Sequence, residues 1–230
     1  MVVLKKSIEE IKKLDHDEKV NYYSTYKNDI SVNNGNSKTG PGCLTLSVPT
    51  EACGKNVPCK KGCYCLKGRQ QFAQILGGYH RNLRLWNESH KSFKLQLTSV
   101  LDKAPQKKFR WFDAGDIPDA DFLDMMFVVA RKYPEISFLS YTKKYDMVNE
   151  YLNHHRLPKN LCIRFSMWDK TWDVPNPHNL PLSYVNFKDT TRNPDIPKKA
   201  FKCPGTGKTT CDKCGVCFNK NVKNVVFNQH

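Results

Sequence analysis

Cysteine placement constrains the fold of this chain more than any other feature of its sequence. Ten of the 230 residues are cysteine, and nine of the ten fall in two short segments. The early set is Cys43, Cys53, Cys59, Cys63 and Cys65, and the late set is Cys203, Cys211, Cys214 and Cys217. Neither a signal peptide nor an apolar run long enough to span a bilayer is visible, so we expect a cytoplasmic protein without a membrane partner. Because thiols stay reduced there, tight groups of cysteines favour bound metal over disulfides.

The late set has the spacing of a four-thiolate metal site. Its cysteines run Cys-x7-Cys-x2-Cys-x2-Cys, and Pro204 and Gly215 bend the chain between them. All four are predicted ligands, and four thiolates at this spacing can surround a tetrahedral zinc ion or a [4Fe-4S] cluster. The tandem two-residue gaps favour the cluster, because each thiolate can then reach a different iron. Zinc remains the alternative.

The early set predicts a second metal site of a different kind. Its spacing is Cys53-x5-Cys59-x3-Cys63-x-Cys65, in a loop that follows a predicted strand. Three cysteines in such a loop suggest a cluster that leaves one iron free for a small ligand. Cys43 or Cys65 could supply a fourth thiolate, which would close the cluster and remove that chemistry. A closed cluster or a second zinc site is therefore the alternative for this loop.

Three segments are predicted along the chain. Residues 1–35 form an N-terminal helical extension, in which Ser7 and Glu10 have the spacing of a capping box. Residues 36–195 form an α/β domain that includes the early cysteines, and residues 196–230 form a cysteine-rich metal-binding tail.

The order of elements in the middle segment predicts the α/β fold. Predicted strands cover residues 44–48, 109–112, 136–141, 161–165 and 184–187. Helical periodicity predicts two helices within residues 69–103, one from Asp116 to before Pro134, and one over residues 146–153. Asp116 is placed to cap the third of these helices. Strands that alternate with helices imply a parallel sheet or barrel.

Chemistry-bearing residues follow the ends of several predicted strands. In parallel α/β folds, ligands bind at the carboxyl ends of the strands. The early cysteine loop, the turn at 113–116, residues 142–144 and residues 166–168 each follow a strand. We therefore expect these four segments to meet on one face and to form a single site.

Basic charge predicts an anionic partner. The formal net charge is +15, and residues 55–69 contain five basic residues and no acidic one. They are Lys55, Lys60, Lys61, Lys67 and Arg69. Such a surface attracts nucleic acid or a nucleotide with strong salt dependence. The alternative is that the lysines only keep an ordinary surface in solution.

Several motifs in the same order resemble the phage gene 88 protein family. They are residues 36–41, 46–49, 63–64, 81–83, 109–111, 115–117, 138–143 and 148–149, then Cys203-Pro204, the three late Cys-x2-Cys cysteines, and residues 226–227 before His230. The resemblance covers residues 33–230. It implies a phage or prophage protein that acts in the cytoplasm of an infected or lysogenic bacterial host.

That family in turn is distantly similar to radical S-adenosylmethionine enzymes, and this similarity implies a partial (β/α) barrel. Those enzymes hold a [4Fe-4S] cluster on a Cys-x3-Cys-x2-Cys loop after the first strand. Here Cys59-x3-Cys63 matches, but Cys65 comes one residue early, so Cys53 joins Cys59 and Cys63 as the better trio. The similarity implies that Gly115 and Asp116 bind S-adenosylmethionine, where Asp116 replaces a longer carboxylate.

Two function classes follow from these observations. The first is a radical S-adenosylmethionine-like enzyme acting on a nucleotide or nucleic acid, in which Lys143 and Ser166 also line the cofactor pocket and the late set holds an auxiliary cluster. The second is a noncatalytic nucleic-acid-binding or host-interaction protein that iron–sulfur clusters or zinc stabilise.

Overall fold

The computed structural model describes residues 5–205 and 208–229, and helices alternate with strands one by one over residues 90–167. In this part of the chain the helices are α1 Ile8–Lys13, α2 His16–Thr25, α3 Ala73–Glu88, α4 His90–Lys103, α5 Ala120–Lys132, α6 Tyr145–His154 and α7 Cys211–Cys214. None of the helices in these two ranges is both long and apolar enough to cross a bilayer.

One open, mostly parallel sheet organises the molecule. Its strands are β1 Val32–Asn33, β2 Cys43–Leu46, β3 Lys108–Trp111, β4 Ser137–Thr142, β5 Leu161–Met167, β6 Leu182–Asn186, β7 Phe201–Lys202 and β8 Asn224–Asn228. They lie in the order β1-β2-β3-β4-β5-β6-β8-β7. Among the strand pairs of the described residues, only β1–β2 is antiparallel. The predicted α/β class is therefore confirmed.

Every strand and helix predicted for the middle segment is present, with ends shifted by a few residues. The three unpredicted strands are β1, β7 and β8. The first two are only two residues long, which leaves no periodicity to detect. β8 inserts between β6 and β7, so the predicted metal-binding tail contributes two strands to the sheet of the middle segment.

One face of the sheet carries the hydrophobic core. Side chains alternate between the two faces of a strand, and Phe109, Trp111, Phe138 and Ile163 pack with the buried residues of α3, α4, α5 and α6. The Trp111 ring meets Phe122 of α5 edge-on, with ring centroids 5.7 Å apart. The apolar stripes of the four helices are therefore explained by burial against a single sheet face.

The opposite face of the sheet carries polar and charged side chains. Arg110, Tyr141 and Arg164 alternate with the core residues of β3, β4 and β5. The late cysteine segment covers this face. The Arg164 guanidinium is fully buried and donates to the backbone carbonyls of residues 216, 217, 219 and 222, at 2.8–3.4 Å.

The second N-terminal helix, α2, packs against α3 of the α/β core. The predicted capping box is confirmed, since the Ser7 side chain accepts from the Glu10 amide and the Glu10 carboxylate accepts from the Ser7 amide. Helix α2 lies close against α3 at Gly77, where an added Cβ would sit 2.9 Å from the Val20 carbonyl oxygen. A side chain at this position would push the two helices apart.

One predicted helix start is wrong. Asp116 does not cap α5, because Ile117 and Pro118 intervene and Asp119 is the N-cap. The Asp119 carboxylate accepts from the Phe122 amide at 2.8 Å and from the Trp86 indole N–H at 2.8 Å. The helix therefore begins three residues later than predicted.

Candidate metal centres and the cavity between them

The loops at the carboxyl ends of the parallel strands enclose a cavity of about 240 Å³. The early cysteine loop follows β2, Gly115 and Asp116 follow β3, Lys143 follows β4 and Ser166 lies near the end of β5. All of these residues line the cavity. The expected meeting of these segments on one face is therefore present in the structure.

The early cysteines lie on a series of short 3-10 helices. Cys53 ends the turn Thr50–Cys53, Cys59 precedes Lys60–Gly62, and Cys65 lies in Tyr64–Leu66. The Cys65 side chain, followed by nearby backbone amides and Lys143, lowers the pKa of the Cys63 thiol to about 6. Burial, followed by the Asp116 carboxylate, raises the pKa of Cys53 to about 12.

Asp116 joins two strand ends at the edge of the cavity. Its carboxylate accepts from the Ile117 amide and from the Lys143 amide, each at 2.8 Å, and burial raises its pKa. The charged Lys143 side chain lies over the Trp168 ring, 5.7 Å from its centroid. Asp116 thus positions the loop that carries Lys143, beside the thiols of Cys53 and Cys59.

Backbone conformation at the end of β3 shapes the cavity wall. Phe112 and Gly115 both have positive φ angles, 59° and 79°. A Cβ on Gly115 would approach the Val48 side chain to 2.6 Å and the Pro49 carbonyl to 3.0 Å. Only glycine lets the β3 loop lie this close to the strand end that precedes the early cysteines.

The ends of β5 and its following loop complete the cavity wall. The Tyr145 hydroxyl donates to the Ser166 carbonyl at 2.5 Å. The Trp168 ring packs edge-on against Phe187, and its buried indole N–H has no hydrogen-bond partner within the part of the chain that the structure describes. Gly62 of the early loop faces the same ring, 3.5 Å from an added Cβ.

The late cysteines line the same cavity from the other side. Cys203 directly follows β7, and its amide donates to the Val226 carbonyl of β8 at 2.9 Å. Cys211 and Cys214 form the ends of α7, which stops at Gly215 in the left-handed conformation. Cys217 lies in the next turn, close to the Tyr141 hydroxyl.

A loop from the N-terminal half of the chain holds the late segment in place. The Asp212 carboxylate accepts from the Gly42 amide at 2.8 Å, and the Asp212 amide donates to the Thr39 carbonyl at 2.9 Å. The Cys211 amide donates to the Lys38 carbonyl at 3.0 Å. The loop at 36–42 therefore shapes the late cysteine site.

Two arginines, the fully buried Arg164 and the partly buried Arg110, lie beside the late cysteines. Arg110 is close to Cys211 and forms a 3.1 Å ion pair with Asp113. Arg164 lies near Cys217 and has no carboxylate partner among residues 5–205 and 208–229. One guanidinium nitrogen on each of these arginines, Nε of Arg110 and Nη1 of Arg164, has no hydrogen-bond partner among those residues. Arg164 is a charged residue within the apolar run 161–165. That position was the sequence signal for a buried cation, and the sequence analysis missed it.

All ten cysteines are free thiols, but they do not converge at single-ion distances. Across residues 5–205 and 208–229, no three His, Cys, Asp or Glu side chains are placed to hold one metal ion. Cys43 lies at the start of β2, and the length of that strand, about 10 Å, separates it from the start of the early loop. Burial raises the pKa of its thiol to about 12, and Arg110 and Cys211 are the next neighbours that affect it, so the structure places Cys43 near the late set.

Comparison with known proteins identifies the family. A family model described as gene product 88 matches residues 9–220. The chain belongs to this phage gene product family. The resemblance drawn from the ordered motifs is thereby confirmed at the level of the family. No curated protein and no solved structure matches the chain.

Proposed function

We propose that this member of the gene product 88 family is an iron–sulfur protein with two cluster sites that open into one chamber. The observation that carries the proposal is that four of the five early cysteines and all four late cysteines line the same cavity. Cys53, Cys59 and Cys63 would hold the early cluster, with Cys65 as the closing alternative. The late cluster would use Cys203 and the three cysteines from 211 to 217.

Charge compensation supports a metal–thiolate group at the late site. A buried charge is unfavourable unless an opposite charge or hydrogen bonds compensate it. Arg164 is fully buried, has only backbone carbonyl partners within the described part of the chain, and lies near the Cys217 sulfur. A cluster with four thiolates carries a charge of about −2, which would supply the missing counter-charge.

The spread of the cysteines favours clusters over single ions. A tetrahedral zinc ion holds its four sulfurs about 3.8 Å apart, because each Zn–S bond is about 2.3 Å long. A four-iron cluster instead binds each thiolate through a different iron, so its ligands surround a larger body. Cysteines that line one cavity without forming a single-ion group suit the second arrangement.

The early site has the surroundings expected for an S-adenosylmethionine pocket. Neighbouring strands β2 to β6 follow chain order and helices pack on one face of the open sheet, an order of elements that (β/α) barrels also have. When bound, a cluster here would supply an electron to S-adenosylmethionine. Asp116 and Gly115 hold the β3 loop against the cysteine loop, while Lys143 and Ser166 offer polar groups to a cofactor. A nucleotide or nucleic acid is the proposed substrate.

Anaerobic purification with iron, sulfide and zinc analysis tests the proposal. We expect about four irons and four sulfides for each of two clusters, and a brown protein. Cys59→Ala and Cys214→Ala should each remove one cluster. Cys162→Ala, a cysteine buried in β5 outside the cavity lining, is the matched control. Two zinc ions in a colourless protein would overturn the proposal.

S-adenosylmethionine binding is tested separately. Addition of S-adenosylmethionine to the reduced protein should change the electron paramagnetic resonance signal of the early cluster, and the change should persist in Cys214→Ala. An unchanged signal at saturating S-adenosylmethionine would leave an iron–sulfur protein without this cofactor.

A second candidate function is a noncatalytic, cluster- or zinc-stabilised nucleic-acid-binding protein. The acid-free basic segment at 55–69 favours it. This candidate predicts salt-sensitive retention of DNA or RNA in a filter-binding assay with no turnover of S-adenosylmethionine. No retention at low salt would remove it.

A further inference from the structure

The early cysteine loop exposes large apolar and aromatic side chains to solvent. Three large apolar or aromatic side chains are exposed within nine residues: Tyr64 at 47%, Leu66 at 50% and Phe72 at 55%. The Tyr64 hydroxyl is fixed to the Asp113 carbonyl, so its ring is held in place at the cavity. We call residues 55–72 the early-loop surface.

The same segment also carries exposed basic side chains. Lys55, Lys60, Lys67 and Arg69 are exposed on the early-loop surface, and the segment contains no acidic residue. The Lys144 ammonium adds to them from the β4 loop, 3.6 Å from a Cβ placed on Gly54. Positive charge and exposed rings therefore occupy one continuous stretch of chain.

We propose that the early-loop surface binds single-stranded nucleic acid. Proteins that bind single strands combine a basic track for the phosphates with aromatic side chains on which unpaired bases stack. Phe72 and Tyr64 supply the rings, and the exposed lysines and Arg69 supply the track. The inference rests on the nucleic-acid partner of the proposed function and does not require cofactor cleavage.

The composition of this surface favours nucleic acid over an acidic protein. Protein interfaces are depleted of lysine and enriched in aromatic residues and arginine. Here lysine is the commonest exposed residue type, and the exposed rings are separated by charges. Duplex nucleic acid would satisfy the lysines but would leave the rings without bases to stack on.

The surface leads directly to the cavity. Gly62 of the early loop faces the Trp168 ring, and Tyr64 belongs to both the surface and the cavity lining. Cys53, Cys59 and Cys63 lie half-buried beneath. A strand bound across this surface would therefore bring one nucleotide to the mouth of the chamber.

Fluorescence anisotropy with fluorescein-labelled oligothymidylate of about fifteen nucleotides tests the inference on the anaerobically purified full chain. Oligouridylate of the same length separates RNA from DNA, and a matched duplex tests strand preference. Contacts from four cationic side chains give a log–log salt slope of about −3. Affinity should then fall about 50-fold between 50 and 200 mM salt.

Paired variants distinguish binding at the early-loop surface from a general effect of the protein's positive charge. Lys67→Glu with Arg69→Glu should weaken single-strand binding at least about tenfold and should lower the salt slope by about 1.4. Lys91→Glu with Lys94→Glu makes the same charge change at exposed positions of α4 and should weaken binding less than about threefold.

A second pair tests stacking. Phe72→Ala should weaken binding at least about fivefold. Leu95→Ala, which truncates a side chain of similar exposure on α4, should leave affinity unchanged. Iron content and far-ultraviolet circular dichroism of each variant report whether the fold and clusters are retained.

Four results would overturn the inference. They are no binding at 50 mM salt, equal affinity for the duplex, equal losses in the two charge-reversal variants, or competition by polyglutamate as strong as by the oligonucleotide. The last result would indicate an acidic protein partner. Because iron content is measured independently, failure here is distinguishable from failure of the iron–sulfur proposal.

Discussion

Arg164 provides the sharpest test of whether the late cysteines hold a negatively charged group. Its guanidinium is fully buried on β5 and forms hydrogen bonds with four backbone carbonyls of the late segment. Replacement by methionine keeps most of the side-chain volume but removes the charge and all five N–H donors. We expect Arg164→Met to destabilise the metal-loaded protein much more than the metal-free protein.

The expected magnitude follows from the buried charge. Removal of one partner of a buried charge pair costs about 3–5 kcal/mol. In the metal-free protein, Arg164→Met also removes the hydrogen-bond donor of the four carbonyls, which lowers stability. It removes an uncompensated buried charge as well, and this gain offsets part of the loss. Each kcal/mol shifts Tm by about 2–4 °C in a chain of this size. Loaded Arg164→Met should therefore melt about 6–20 °C below the loaded parent.

Thermal unfolding of loaded and chelator-treated protein, followed by circular dichroism under anaerobic conditions, measures the difference. Arg164→Lys retains the charge without the planar fork of donors and should be intermediate. Arg156→Met, at an exposed position, is the control for a lost arginine. Equal losses of Tm with and without metal would refute the charge argument and would leave Arg164 as a hydrogen-bonding brace for the loop.

Three further substitutions test the positions around the cavity. Gly115→Ala should lower the free energy of unfolding by about 1–3 kcal/mol more than Gly68→Ala. Both glycines have positive φ, but of the two only Gly115 has close neighbours. Equal losses of stability in urea unfolding would contradict this prediction. Tyr141→Phe should lower the midpoint potential of the proposed late cluster, since it removes a hydroxyl donor close to the Cys217 sulfur. A redox titration with Tyr151→Phe as control measures the potential, and an unchanged potential would exclude this role of Tyr141. Asp212→Ala should lower the free energy of unfolding by about 1–3 kcal/mol. It should also empty the late site and so halve the iron content. Retention of all iron would show that the loop at 36–42 does not support that site.

Local patterns predicted most of the elements. The apolar stripe of α5 and the alternation in β3 arise from burial against one sheet face, and burial leaves a periodic record in the residues themselves. The capping box at Ser7 and Glu10 was predicted for the same reason, because its two hydrogen bonds join residues three positions apart.

The candidate site was predictable in part. Parallel strands bring their carboxyl ends to one edge, so residues that follow those strands were expected to meet, and the early loop, Asp116, Lys143 and Ser166 do line one cavity. The role of Asp116 was not predictable. Its carboxylate joins β3 to β4 through the Lys143 amide, a contact that depends on the separation of two loops in space.

The spacing of the cysteines by itself determined that each of two groups of thiols lies close enough along the chain to share a metal. A short loop confines its side chains to a small volume in any fold. Only the tertiary structure decided that both groups face one cavity, with Arg164 buried beneath the late one. That arrangement depends on β8 pairing with β6, about forty residues away along the chain. Strand pairings over such distances depend on the packing of the whole sheet, and no local periodicity records them.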